Sequence, residues 1–148
     1  MTNLPSQQQP LQLLSVVIPA RDEAQCIAAT VEHLHVELRL HNVPHEIIVV
    51  DDGSIDNTWD VLTETRKRVE TLRPIQNSDA HGFGRAVALG FDHASGDAIV
   101  MMMADESDDC RDVVRYWEVL NSGYDCVFGS RFVKGGGVVD YPWLKLWI

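Results

Sequence analysis

Glu46–Trp59 reads EIIVVDDGSIDNTW, and the fold turns on it. Ile47–Val50 is an unbroken branched aliphatic run, the composition of a strand buried on both faces. It stops abruptly at Asp51, Asp52, Gly53 and Ser54, so a buried strand ends in two carboxylates. Behind them Ser54 or Asp56 can cap a helix in which Trp59, Leu62, Thr65 and Val69 share one side. In an open α/β sheet, ligands lie outside the carboxyl ends of the strands, which is where Asp51 and Asp52 stand. Favouring the positive end of a helix would employ one carboxylate. Two of them beside a glycine mark a candidate site.

Upstream, Leu13–Ile18 is a first strand closed by Pro19, and Ala20, Arg21, Asp22 and Glu23 turn into a helix. Ile27, Val31, Leu34 and Leu38 recur there at helical spacing, with Glu32, His33 and Glu37 facing out. Pro44 ends this helix before the strand at Ile47. Two strand–helix units in succession predict parallel strands and an α/β fold. Met1–Gln12 has too little apolar content to pack and is expected to be a disordered leader to one domain over 13–148.

Downstream, Leu72 and Ile75 suit a short strand that Pro74 would confine to an edge. Gly82, Phe83 and Gly84 lead into a helix over Arg85–Ala94. Ala98–Met103 reads as a second fully apolar buried strand, ending on Ala104, Asp105, Glu106, Ser107, Asp108 and Asp109. A helix with Val113, Val114, Trp117 and Leu120 inward follows, then a strand at Cys126–Phe128 that runs into Gly129, Ser130 and Arg131. Two buried strands thus deliver acid to the same edge.

Composition narrows the function. A net charge of −10 argues against binding nucleic acid backbones or anionic lipid without sequence preference. Cys26, Cys110 and Cys126 are odd in number and widely spaced, which suits reduced, buried thiols and a cytoplasmic setting. The apolar run Ala98–Ala104 is too short to span a bilayer, although the terminal YPWLKLWI, at 141–148, could touch a membrane surface peripherally. The histidines assemble no metal site: His33 and His35 point to different faces, and Pro44 separates His41 from His45. The DDGSIDN run lacks the ligand ladder of a calcium loop, and Gly82 and Gly84 lack the third glycine of a dinucleotide fingerprint.

In order, IPARDEA (Ile18–Ala24), VVDDGSIDNT (Val49–Thr58), GFGRAVALG (Gly82–Gly90), MADESDD (Met103–Asp109) and FGSRFVKGG (Phe128–Gly136) resemble family 2 glycosyltransferases, and within them polyprenyl-phosphate sugar transferases of the dolichol-phosphate mannosyltransferase type. The resemblance implies a GT-A fold: a mostly parallel sheet with helices on both faces, its C-terminal part incomplete in this chain. It implies transfer of a hexose, with inversion, from a GDP- or UDP-linked sugar to a polyprenyl phosphate or related acceptor. By similarity, Pro19, Arg21 and Glu23 lie on the first nucleotide loop, and Asp51 or Asp52 accepts a hydrogen bond from the base. Gly84 and Arg85 match the helix start beside the nucleotide. Asp105 matches the second acid of the Asp-x-Asp motif and would hold Mg²⁺ or Mn²⁺, with Ser107 as a second oxygen ligand. Arg131 and Lys134 match the basic pair near the phosphates, with Arg131 beside Asp105 in the catalytic role.

Met103 departs from the pattern, standing where many relatives carry the first Asp. A thioether is a poor ligand for a hard cation, so weaker metal affinity is expected. The alternative reading is a truncated domain that binds nucleotide sugar without turnover, or that needs a partner chain. A nucleotidyltransferase or sugar-nucleotide sensor would want a glycine-rich basic loop after the first strand, where ARDEA stands. The sequence is compatible with a homo-oligomer and leaves open the sugar, the base and the acceptor.

Overall fold

A computed structural model of the chain describes residues 9–130. The elements run β1 (Leu14–Ala20), α1 (Ile27–Leu40), β2 (His45–Asp51), α2 (Thr58–Arg66), β3 (Leu72–Gln76), α3 (Phe83–Asp92), β4 (Ala98–Met101) and α4 (Cys110–Asn121). The strands form one sheet in the order β3-β2-β1-β4, and every pairing is parallel. Ala20 stands opposite Asp51, and Val17 opposite Met101, so all the C-terminal ends point to one edge.

The two central strands explain the sheet. Alternate side chains of β1 and β2 enter opposite cores: Val16, Ile18, Ile47 and Val49 pack with the inner faces of α1, α2 and α4. Val17, Ile48 and Val50 pack under Ala86 of α3 on the other face. Covering helices on both faces require a strand without polar alternation, as Ile47–Val50 has. In α1 the fully buried residues include Ile27, Val31, Leu34 and Leu38, the set its spacing predicts. Leu62 and Thr65 do the same for α2, while Val69 is buried just beyond that helix. Pro74 sits in β3, which pairs with β2 alone, so its missing N–H faces no strand among the described residues.

Three expectations are corrected. The strand at Ala98–Met103 is shorter, ending at Met101, and it is not buried on both faces: Ile99 is 42% and Met101 45% exposed. Apolar composition reports what a strand can bury, whereas β4 lies at an edge of the described sheet, and among the described residues its main helical cover is α4. Cys126–Phe128 forms no strand; it lines a cleft of about 1000 Å³ shared with Ala98–Met101, and without a ladder partner Phe128 is 87% exposed. Cys126 is therefore exposed, while Cys26 and Cys110 are partly buried. The α3 helix begins two residues earlier than its spacing suggests, at Phe83. At the chain's start, Leu11 N–H donates to Asn121 Oδ1 at 3.1 Å, and Gln12 and Leu13 N–H both reach Asp97 Oδ2. No described helix is long and apolar enough to cross a membrane.

Candidate functional site

The loops leaving β1 and β2 are laced to one another. Asp22, at φ 57°, accepts from the backbone N–H groups of Ile55 at 2.7 Å and Asp56 at 3.3 Å, and donates its own N–H to Ser54 Oγ at 2.9 Å. Glu23 N–H donates to Thr58 Oγ1, and Ala24 N–H to Asp56 Oδ2. The N-cap of α2 is Asn57, which makes no side-chain cap bond, rather than Ser54 or Asp56; Asp56, one residue earlier, accepts from Thr58 N–H at 2.9 Å, and Ser54 is spent on the neighbouring loop. The role of Asp22 was missed from sequence; its only signal was a short polar residue able to adopt a left-handed turn.

Asp51 and Asp52 sit at the strand tip, each 4% exposed. Asp51 Oδ1 accepts from Ser54 N–H at 3.1 Å. Asp52 accepts from Asn77 Nδ2 at 2.7 Å and from Gly82 N–H at 2.7 Å, and His81 Nδ1 lies 3.5 Å from its Oδ1. Burial raises the Asp52 pKa, but these donors outweigh it and hold the carboxyl below its ordinary range. Asp52 thereby ties the end of β2 to the loop opening α3. Gly53, at φ 75°, lies under His81: a Cβ there would meet the ring Cε1 at 2.5 Å. Glycine meets both the positive φ and the close approach of the ring without strain.

On the same rim, Pro19 does not close β1 as expected but lies within it, paired with Val50, because β1 runs on to Ala20; Arg21 is exposed just beyond. The Glu23 carboxylate turns back to its own helix start, accepting from Cys26 Sγ at 3.0 Å. Burial and that acceptor push the Cys26 thiol up to about 11, so it stays protonated at neutral pH. Gly84 and Arg85 occupy the exposed first turn of α3, and a Cβ on Gly84 would meet no atom of the described residues within 4 Å.

Asp105 and Ser107 are exposed in the loop after β4, where Asp105 Oδ1 accepts from Ser107 N–H at 3.1 Å. The neighbouring acids are engaged elsewhere. Asp108 accepts from Met103 N–H at 2.8 Å, Glu106 faces His33 at 3.1 Å, and Asp109 caps α4 while pairing with Arg111. Among the described residues no group of three His, Cys, Asp or Glu side chains could hold a metal ion. Protein side chains alone therefore build no cage for a hard cation among the described residues. Arg131, Lys134 and the stretch 141–148 lie outside the described residues.

Comparison with known proteins places this arrangement. Residues 15–148 match the family described as Glycosyl transferase family 2. A dolichol-phosphate mannosyltransferase of Pyrococcus furiosus is 33% identical over 89% of this chain and 37% of its own length. An undecaprenyl-phosphate 4-deoxy-4-formamido-L-arabinose transferase of Serratia proteamaculans is 32% identical over 82% of this chain and 38% of its own. The chain thus spans a little over a third of the length of these relatives. Among solved structures, a mannosyltransferase of Pyrobaculum calidifontis, in complex with GDP-Man and Mn²⁺, superimposes with a TM-score of 0.63 at 21% identity, over 80% of this chain and 34% of that one. Glucosyl-3-phosphoglycerate synthase of Mycobacterium tuberculosis gives 0.60 at 24% identity, over 75% of this chain and 41% of that one. The described residues have the parallel α/β sheet of the GT-A fold, and the chain belongs to glycosyl transferase family 2.

Proposed function

We propose that this chain carries the nucleotide-sugar half of a glycosyltransferase that moves a hexose from a GDP- or UDP-linked donor onto a polyprenyl phosphate, with inversion at the anomeric carbon. The observation that carries the reading is the delivery of Asp51, Asp52 and Asp105 by parallel strands to one sheet edge. The acceptor class follows the names of the two polyprenyl-phosphate relatives.

In this reading Asp52 receives an N–H of the base, being an acceptor-only carboxylate held ionised and in place. Gly84 leaves room at the start of α3 for the diphosphate to approach backbone N–H groups. Pro19 and Arg21 form the opposite wall, Asp51 and Glu23 brace the loops, and Arg85, Arg131 and Lys134 supply positive charge to the phosphates. Asp105, with Ser107, would hold Mg²⁺ or Mn²⁺, which when bound would neutralise charge on the diphosphate. The acceptor phosphate oxygen bonds to the anomeric carbon as the bond to the nucleoside diphosphate breaks, its electron pair leaving with the diphosphate. Arg131 stabilises that leaving charge. A phosphate acceptor is already ionised near neutral pH, so no general base is required.

A second reading is a nucleotide-sugar-binding domain that turns over only with a further polypeptide. It is favoured by the half-exposed Ile99 and Met101 of β4 and the cleft beside them. Transfer of radiolabelled sugar to a polyprenyl phosphate, with and without membranes, separates the two. Labelled lipid product supports the enzyme, and binding without product supports the second reading. Failure of every GDP- and UDP-sugar to bind with Mn²⁺ rejects both.

A further inference from the structure

Asp22 joins the two loops that frame the proposed donor site, although the reading above gives it no contact with base or phosphate. Its Oδ1 accepts from Ile55 N–H at 2.7 Å and from Asp56 N–H at 3.3 Å, and its own N–H donates to Ser54 Oγ at 2.9 Å. The bonds from Glu23 N–H to Thr58 Oγ1 and from Ala24 N–H to Asp56 Oδ2 extend the same seam. All five cross from the segment after β1 to the segment after β2, over separations of 32 to 35 residues.

The seam reaches the strand tip. Ser54, which accepts from Asp22, donates its N–H to Asp51 Oδ1 at 3.1 Å, and Asp52 N–H donates to Ala20 O at 2.9 Å. On its other flank the tip is tied through Asp52 to Asn77 and Gly82. The turn carrying both acids is thus held from two sides, and Asp22 makes three of the bonds on one of them. Its backbone stands at φ 57°, a left-handed conformation that Asp and Asn adopt more readily than other residues with side chains. Asp22, Ile55 and Asp56 are all exposed. Hydrogen bonds that water can replace add little to global stability, so what this set fixes is the arrangement of the loops.

We infer that Asp22 is a positioning residue for nucleotide-sugar binding, locking the loop that carries Arg21 against the turn that carries Asp51 and Asp52 before the donor arrives. Loops already held in their bound arrangement spare the ligand the entropy of ordering them, so the clamp acts on affinity more than on folding. The side chain serves as an acceptor for two N–H groups, a task that an amide oxygen at the same place can also perform. The inference rests on the reading of this rim as the donor site, and it adds a residue that the reading leaves out.

The test is equilibrium binding of GDP and UDP, with Mn²⁺, to the full chain and to its Asp22→Gly, Asp22→Asn and Ser54→Ala forms, with a thermal melt of each. Asp22→Gly keeps the positive φ accessible and removes the acceptor; both affinities should fall together by roughly tenfold while the melting temperature moves little. Asp22→Asn keeps an acceptor and the turn, and should bind within about twofold of the wild type. Ser54→Ala removes one bond of the seam and should weaken both nucleotides by about threefold. An Asp22→Gly form that binds as the wild type does would overturn the inference, as would an unchanged Ser54→Ala where Asp22→Gly does not fold. So would an Asp22→Asn form as weak as Asp22→Gly, since charge rather than position would then matter. In each of these cases a wild type that binds GDP or UDP leaves the functional reading standing. A wild type that binds neither rejects that reading, and this inference with it.

Discussion

The Asp52 carboxylate and the backbone N–H of Gly82 lie 2.7 Å apart, joining residues 30 positions apart at the sheet edge where the proposed donor binds. With the bond from Asn77, this makes Asp52 a fastener as well as a candidate ligand. Asp52→Asn replaces one accepting oxygen with a donor that faces another donor. The expected cost is about 2 kcal/mol, read from the urea midpoint at neutral pH. Because the folded-state pKa of Asp52 is depressed, its contribution is present above about pH 3.9, the ordinary aspartate value, and is lost as pH falls toward the lower folded value. The stability difference between wild type and Asp52→Asn should shrink on acidification over that window.

A second acid holds the opposite edge of the sheet. Glu46 accepts from Ser15 Oγ and Ser95 N–H, each at 2.6 Å, and from Arg73. Burial raises its pKa, but these three donors together bring it below the ordinary value. Glu46→Ala strands partners on β1, β3 and the loop before β4, and should cost about 3 kcal/mol. Glu46→Gln should cost less. Urea unfolding at neutral pH ranks the two.

His35 and His45 should make the fold sensitive to mild acid. His35 Nδ1 lies 3.0 Å from His45 Nε2, and His45 Nδ1–H donates to Val43 O at 2.8 Å. Burial lowers both pKa values; the neighbouring His45 adds to this for His35, and Arg39 for both, while the Val43 bond partly offsets it for His45. Other charge on the neighbouring elements comes from Glu70, which favours the charged form of His35. A group whose folded pKa is depressed takes up more protons when unfolded. Stability should therefore be full above about pH 6.5, the unfolded value, and fall as pH drops from there. Melting temperature between neutral pH and about pH 5 should decline in the wild type and flatten in His45→Gln.

Much of this architecture was legible in the sequence because local chemistry and tertiary role agree. Ile47–Val50 has no polar alternation, and both its faces are buried; Pro74 cannot donate, and its strand lies at the edge. The acids at positions 51, 52 and 105 follow strands whose parallel order puts them on one rim. What stayed hidden depends on distant partners. Ile99 and Met101 are as apolar as any core residue, and composition cannot say that β4 lies at an edge of the described sheet. Spacing gives no hint that His35 and His45, ten positions apart, meet; they do so because the turn after α1 folds the helix end back against the start of β2. Asp22 gave only the weak signal of a short polar residue suited to a left-handed turn, because its role arises where two loops meet in the folded chain.

Asp105 should govern the metal-dependent part of nucleotide binding and little else. It is exposed on the loop after β4, so Asp105→Ala should leave the melting temperature nearly unchanged. The gain in GDP or UDP affinity on adding Mn²⁺ should fall by roughly tenfold, about 1.4 kcal/mol. Affinity measured in chelator should hardly move. A variant that loses affinity equally with and without metal would take Asp105 out of the metal site.

Two glycines of α3 should respond oppositely to the same added methyl group. At Gly90 a Cβ would lie 2.3 Å from Val17 Cγ1 and 3.3 Å from Val50 Cγ2, where the helix rests on β1 and β2. Both valines belong to a fully buried core, so the helix must lift; Gly90→Ala should cost about 1–3 kcal/mol. At Gly84 nothing among the described residues comes within 4 Å of the new atom, and alanine favours the helix by up to about 1 kcal/mol over glycine. Gly84→Ala should therefore melt at or above the wild-type temperature. The space its methyl group enters is the space assigned to the diphosphate, so nucleotide affinity should drop even as stability holds. Paired thermal melts and GDP titrations of the two variants separate packing from binding: a Gly84→Ala protein that binds GDP as the wild type does would move the diphosphate away from the start of α3.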